Sequence, residues 1–378
     1  MGSLNDAMPL VIPVFIPHEG CPHACVFCNQ HRISGRAGSS PVSPGEVGKI
    51  IALWLNRAGK KRTGPAQVAF YGGSFTGLPV ARQEELLGAV APFMAEGQVQ
   101  AIRISTRPDY VDPVAIDRLR RHGVAIVELG VQSLDPEVLM ASNRGHSAGQ
   151  AIRAICLLRA ANLQVGVQLM VGLPGESFLG QRRTVRQVAA LCPDFVRIYP
   201  VLVLKESGLA ALHAQGRYRP PTLEQAVART AWMKNYLAGR GIRVVRMGLQ
   251  PCPELEEALL AGPYHPAFGE LVLARLMLHR TRRALRGVPA GEKVRLSIAA
   301  RDRSIFQGIR SANSKRLRQM GLLERFELVT DPLQPRATLR IIALPGRFAQ
   351  ASERMGALAG NCYLPLAENP RSRKGHVR

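Results

Sequence analysis

Three of the seven cysteines, Cys21, Cys25 and Cys28, crowd into eight residues at spacings of four and three. In a reducing compartment such crowding points to a metal rather than to disulfides. One loop with this spacing can wrap three irons of a cubane [4Fe–4S] cluster with thiolates. The fourth iron then has no ligand from the motif and is open to chelate a small molecule. The same cysteines, completed by His18 or His23, could instead close around zinc, although structural zinc prefers paired C-x2-C units and four protein ligands. Phe27 beside the last cysteine and an apolar strand before the loop favour the cluster. Cys156 and Cys192 lie in apolar or helix-end surroundings and are expected to be buried thiols.

The elements that must position this loop alternate. Strands are expected at Val11–Ile16, Gln67–Tyr71, Gln100–Ile104, Ala125–Val131, Val165–Val171 and Phe195–Leu204, with a further one at Ile242–Arg246. They are Val- and Ile-rich and nearly continuously apolar, the pattern of strands buried on both faces. Between them stand helix-start signals: Ser43-Pro44 with Glu46 as a capping box, then Asp112-Pro113 and Asp135-Pro136. Gly123 is placed to end a helix. Strand–helix alternation means parallel strands with right-handed crossovers. The expected fold is α/β: a partial (β/α)6 parallel barrel with a small C-terminal α/β appendage. The expected divisions are a barrel over 1–248, a helical connection over 249–288, a small basic α/β unit over 289–350 and a basic tail over 351–378. Within them Leu255–Leu278 reads as helix broken by Gly262-Pro263-Tyr264-His265-Pro266. A strand follows at Val294–Ala299, a basic helix at Ser304–Met320, and strands at Glu324–Val329 and Ala337–Leu344.

Further motifs fall just after strands, where the loops of a parallel barrel form one mouth. They are Tyr71-Gly72-Gly73-Ser74-Phe75-Thr76, Thr106-Arg107-Pro108-Asp109-Tyr110, Glu128-Leu129-Gly130-Val131-Gln132-Ser133, Asn143-Arg144-Gly145-His146, Gly172-Leu173-Pro174-Gly175-Glu176 and Ile198-Tyr199-Pro200. A glycine pair lets backbone carbonyls approach a ligand closely, and Gln132 and Ser133 offer neutral hydrogen bonds suited to a ribose. Together with the cysteine loop, these stretches resemble the radical S-adenosylmethionine superfamily, over about Pro13 to Arg246. They are similar in particular to the radical domain of the Elongator catalytic subunit and its bacterial relatives, and more distantly to oxygen-independent coproporphyrinogen dehydrogenase. The resemblance implies a [4Fe–4S] cluster held by Cys21, Cys25 and Cys28 and S-adenosylmethionine as the molecule on the open iron. Reductive cleavage would then give a 5′-deoxyadenosyl radical. It further implies cofactor contacts at Gly72 and Gly73 for the amino group, Arg144 for the carboxylate, Gln132 and Ser133 for the ribose, and Gly172 for the adenine. An electron donor such as flavodoxin or ferredoxin is implied as well. One position departs: the Elongator-like pattern has a glutamate where this chain has Ser105, so the substrate chemistry does not transfer residue by residue.

The substrate is less determined. A net charge of +23 attracts polyanions, RNA first among them, although arginine spread along the chain can equally reflect codon usage. Arg280–Arg286 and Arg310–Arg318 are basic stretches, and Elongator-like enzymes act on a wobble uridine in tRNA. The alternative is a small molecule such as a tetrapyrrole, whose carboxylates suit arginine. A non-enzymatic metal protein that binds nucleic acid has no need of the strand-end motifs. The acetyltransferase domain that follows the radical domain in Elongator has no counterpart in the pattern after Leu249. Tyr264 and His265 are candidates for a proton or hydrogen-atom donor. No apolar run reaches the roughly 18–20 residues of a membrane span, and the start lacks a signal-peptide pattern, so the expected location is the cytoplasm.

Overall fold

The computed structural model describes residues 9–21, 25–29, 32–33, 41–59, 64–289 and 291–342. The predicted tail, and its arginines, lie outside the described residues. The chain forms two compact units. The first runs to Thr222 and resumes over Ile242–Tyr264; the second takes Leu223–Gly241 and the chain from His265.

In the first unit, seven parallel strands curl into a half-barrel: β1 (Leu10–Phe15), β2 (Ala66–Tyr71), β3 (Ala101–Thr106), β4 (Val124–Gln132), β5 (Gln164–Val171), β6 (Phe195–Pro200) and, after the short β7 (Val203–Leu204), β8 (Arg243–Met247). The order β1-β2-β3-β4-β5-β6-β8 follows the sequence, as successive strand–helix units require. The extra strand at Ile242–Arg246 is therefore the seventh stave. The predicted helix starts are built as read. Ser43 and Glu46 form a capping box, and Asp112 and Asp135 accept from Ala115 N and Glu137 N. Gly123 follows its helix at φ +78°.

Several expectations change. The strands are not apolar on both faces. Ile12, Val14, Val68, Phe70, Ile102, Ile104, Val127, Val165, Val167 and Ile198 are buried, but the alternate positions Gln67, Arg103, Gln168 and Arg197 line a cavity. A strand has a period of two, so one face can pack on helices while the other is polar. The predicted strand Phe195–Leu204 is two strands. Val201 N still donates to Val171 O, after which β7 pairs antiparallel with β9 (Leu259–Ala261). That short strand also replaces helix in the stretch read as Leu255–Leu278, between helices Pro253–Ala258 and Phe268–Arg286. Both halves are buried, so an unbroken apolar run hid the turn. Cys156 and Cys192 are exposed rather than buried.

The second unit is a three-stranded sheet, β11 (Phe326–Asp331), β10 (Val294–Ala299) and β12 (Leu339–Ile342), with β12 antiparallel. Its core joins Ala274, Met277 and Leu285 of the helix Phe268–Arg286 to Leu296, Ile298, Phe306, Leu317 and Phe326. The predicted basic helix Ser304–Met320 is broken into Arg303–Gln307 and Ala312–Gln319. Gly308, Arg310 and Ser311 take φ of +74°, +53° and +58° there. Asn313 Nδ2 donates to the carbonyl of Ala274, inside the helix Phe268–Arg286, and to those of Ile305 and Phe306; the latter two are helix-end acceptors that a continuous helix would have used internally.

Candidate active site

The cysteine loop leaves β1 and is zipped onto the loop after β2. Ile16 N donates to Tyr71 O at 2.8 Å, His18 N to Gly72 O at 2.9 Å, and Ser74 N to Glu19 O at 2.9 Å. A Cβ on Gly73 would fall 2.3 Å from Glu19 O, and one on Gly20 2.2 Å from Ser74 O. The glycines are thus required by backbone packing of one loop on another, a stricter demand than approach to a ligand. Ser74, Thr76 and Thr106 join hydroxyls at 3.0 and 2.6 Å and lock this loop to the end of β3. Cys21, Cys25, Cys28, Gly72, Gly73, Gln132 and Arg144 all line one cavity of 1930 Å³. Cys25 is buried, and burial raises the Cys21 thiol pKa against the pull of Arg144.

Arg144 is brought there by the turn after the helix Pro136–Ala141. Its Nη1 lies 3.3 Å from Cys25 Sγ and its Nη2 donates to Gly130 O at 2.5 Å. A Cβ on Gly130 would stand 2.8 Å from that Nη2, so the glycine makes the space. Gln132 ends β4 at φ +66°, a backbone state uncommon for a non-glycine residue. Its Oε1, Arg144 Nε and Arg107 Nη1 are buried without a partner. Arg107, in a motif but not among the predicted contacts, also lines the cavity, with Nε and Nη2 on Asp109 at 3.0 and 2.9 Å.

Other candidates do not reach the cavity wall. Ser133 Oγ accepts from Asp135 N at 3.1 Å and sits 3.4 Å from Thr184 Oγ1, shaping the turn. Gly172 donates to Glu176 Oε2 at 2.7 Å, and its carbonyl accepts from Tyr218 Oη at 2.5 Å. Tyr264 Oη donates to Glu256 Oε1 at 2.5 Å, and His265 Nδ1 accepts from Ala267 N at 3.0 Å; neither lines the cavity.

Deeper in the lumen lies a polar tier absent from the sequence-based expectations. Glu128, wholly buried, accepts from Tyr71 Oη at 3.0 Å, Arg103 Nη1 at 3.1 Å and Gln168 Nε2 at 3.3 Å, and pairs with Arg197 Nε at 2.8 Å. Burial, then Glu128 itself, push the Tyr71 phenol up to about 12, so it remains a donor. The signal for this tier was a charged residue at an alternate position in each of three apolar strands.

The radical SAM superfamily matches residues 15–185 and the Radical_SAM C-terminal domain matches residues 193–277. The chain belongs to the radical S-adenosylmethionine superfamily. It is 34% identical over 146 residues to the tRNA uridine(34) acetyltransferase of Methanocaldococcus infernus, covering 38% of this chain and 27% of that one. It is 30% identical over 189 residues to Elongator complex protein 3 of Homo sapiens, covering 46% and 32%. The chain therefore spans about a third of the length of these relatives. The structure of the archaeal Methanocaldococcus infernus Elp3 matches with a TM-score of 0.56 at 23% identity, over 71% of this chain and 63% of that one, a likeness of fold.

The radical SAM superfamily works with a [4Fe–4S] cluster and S-adenosylmethionine, and the mouth fits both on its own evidence. Three thiol residues line it, a guanidinium abuts one of them, and two buried donor atoms and one acceptor wait for partners. Orphaned buried polar atoms are costly unless a ligand or water meets them.

Proposed function

We propose that this radical SAM protein cleaves S-adenosylmethionine reductively and acts on RNA, a tRNA in particular. The observation that carries the chemistry is the meeting of Cys21, Cys25, Cys28, Gln132 and Arg144 on one cavity wall. The three cysteines would hold three irons of the cluster and leave the fourth for the amino acid end of S-adenosylmethionine. When bound, cluster and cofactor supply hydrogen-atom abstraction through a 5′-deoxyadenosyl radical. Arg144 would pair its free Nε edge with the carboxylate, a charge-assisted contact. Gln132 Oε1 is an acceptor for a ribose hydroxyl. The glycine-packed loops fix the cysteine loop on β1 and β2, so the ligating residues are held by backbone rather than by flexible side chains.

Support for RNA comes from the relatives' named substrate and from the charge of +23. Because the chain spans about a third of those relatives, their acetyl transfer is not part of the proposal. A one-electron donor of the flavodoxin or ferredoxin kind is required by the chemistry. No helix among the described residues is long and apolar enough to cross a membrane, and we place the reaction in the cytoplasm, where reducing conditions protect thiolates and clusters.

Anaerobically reconstituted protein with dithionite and S-adenosylmethionine should release 5′-deoxyadenosine, and Cys25→Ala should release none. Bulk tRNA should raise the yield and gain a nucleoside of altered mass. Full cluster occupancy with no deoxyadenosine, tRNA present or absent, would sink the radical reading. Deoxyadenosine release indifferent to tRNA would sink the RNA reading alone.

A further inference from the structure

The lumen beneath the cysteine mouth carries charge that the chain does not balance. Its described lining includes Arg103, Arg107, Arg144, Arg197, Arg243 and Arg246, and no Asp or Glu. Arg107 is matched by Asp109 and Arg144 stands against Cys25. Deeper, Arg103 and Arg197 share a single carboxylate, that of Glu128. Two guanidiniums against one carboxylate leave one positive charge over, and Arg246, the register partner of Arg197 on β8, adds another against the neutral Gly248 O and Gln250 Oε1. The other neighbours are neutral: Tyr71 Oη at 3.0 Å and Tyr199 Oη at 3.4 Å from Arg197, and Gln67 Oε1 at 3.0 Å from Arg103. Arg103, itself buried, has an Nε with no partner.

The strands beside Glu128 carry little side-chain bulk of their own at its level. Ser105 on β3 and Gly166 on β5 are the register partners of Glu128, so the carboxylate is flanked by a small side chain and by none. Gly166 is tight behind, since a Cβ there would meet the Phe195 ring at 2.4 Å. The cavity, at 1930 Å³, exceeds the roughly 300–1,000 Å³ of a single small-ligand site, so a second ligand can share it with the cofactor.

We propose that Arg103 and Arg197, braced by Glu128, form a subsite in the half-barrel for the carboxylate of a small organic acid that shares the cavity with the cofactor. The surplus positive charge attracts an anion, and guanidinium forks match the two oxygens of a carboxylate. The inference deepens the radical reading and rests on it only for the cofactor at the mouth.

Anaerobic protein with its cluster is titrated calorimetrically with acetate, succinate and citrate at constant ionic strength, with and without saturating S-adenosylmethionine. Succinamide and inorganic phosphate are the controls. At least one carboxylate should bind once per chain, about tenfold or more tighter than succinamide, as a charged hydrogen-bond pair implies. Ser105→Glu sets the chain's own carboxylate beside the pair and should weaken that binding about tenfold or more. Ser105→Gln should not, and unchanged cluster absorbance in both variants keeps folding out of the comparison. Carboxylates no better than succinamide, Ser105→Glu binding like wild type, or phosphate binding tighter than every carboxylate would each overturn the subsite. Since no turnover is read, a failure to cleave S-adenosylmethionine bears on the radical reading alone.

Discussion

Arg144 and His146 show how two residues of one turn divide their work. Arg144 keeps a buried donor atom free toward the cavity, and Arg144→Ala should weaken S-adenosylmethionine binding by about 1.5–3 kcal/mol, the worth of a hydrogen bond to a charged group. Equilibrium dialysis of cluster-loaded protein would read it. His146 is buried, with Nε2 3.4 Å from Gly130 O. Burial first, then Arg144, lower its pKa from 6.5 to about 4. A histidine held neutral contributes stability that is present above pH 6.5 and is lost as pH falls toward 4. The loss approaches about 3 kcal/mol by linkage. Urea unfolding at pH 7 and pH 4.5 should therefore show a steeper acid loss for wild type than for His146→Asn; equal slopes would contradict the burial argument. The cysteines were legible because their spacing is local. The contacts among Arg103, Glu128 and Arg197 were not, because a lone charge in an apolar strand says nothing of its partners on other strands.

At the scale of the strand, the half-barrel has one apolar and one polar face, and Glu128 is the hinge of the polar one. Removing a partner from a buried ion pair costs about 3–5 kcal/mol. Glu128→Ala, which leaves Arg103 and Arg197 facing each other, should lose that much in denaturant unfolding. Glu128→Gln, which keeps an acceptor for Tyr71, should lose less. Equal loss would mean that volume and not charge matters there. Gly166→Ala should destabilise too, because its Cβ would meet the Phe195 ring and come within 3.1 Å of Glu128 Cγ. Helix starts were legible at this scale, since a cap and its proline lie within four residues. The break at Gly308–Ser311 was not: Asn313 stabilises it through carbonyls 7, 8 and 39 residues away.

For the whole molecule, the second unit constrains how the RNA reading is tested. Cutting at residue 289 would strip β10 and β11 from the core they share with the helix Phe268–Arg286 and would test folding instead. Charge removal on the described chain is the cleaner probe. Replacing Arg310, Lys315, Arg316 and Arg318 by Gln should lower tRNA affinity and flatten its salt dependence, each lost phosphate contact reducing the log–log slope by about 0.7–0.9. An unchanged slope in filter binding would mean those side chains are only solvated.

The sequence alone determined the family, the alternating parallel architecture and the cysteines proposed to hold the cluster. Each is written in short-range spacing: a period, a cap, a loop of eight residues. Only the tertiary structure decided which face of the strands is polar, that Ser133, Gly172, Tyr264 and His265 stand off the cavity wall, and that two arginines share one carboxylate inside it. Those facts depend on which residues curl toward one another across strands 25 and 69 positions apart, a distance over which sequence spacing carries no geometry.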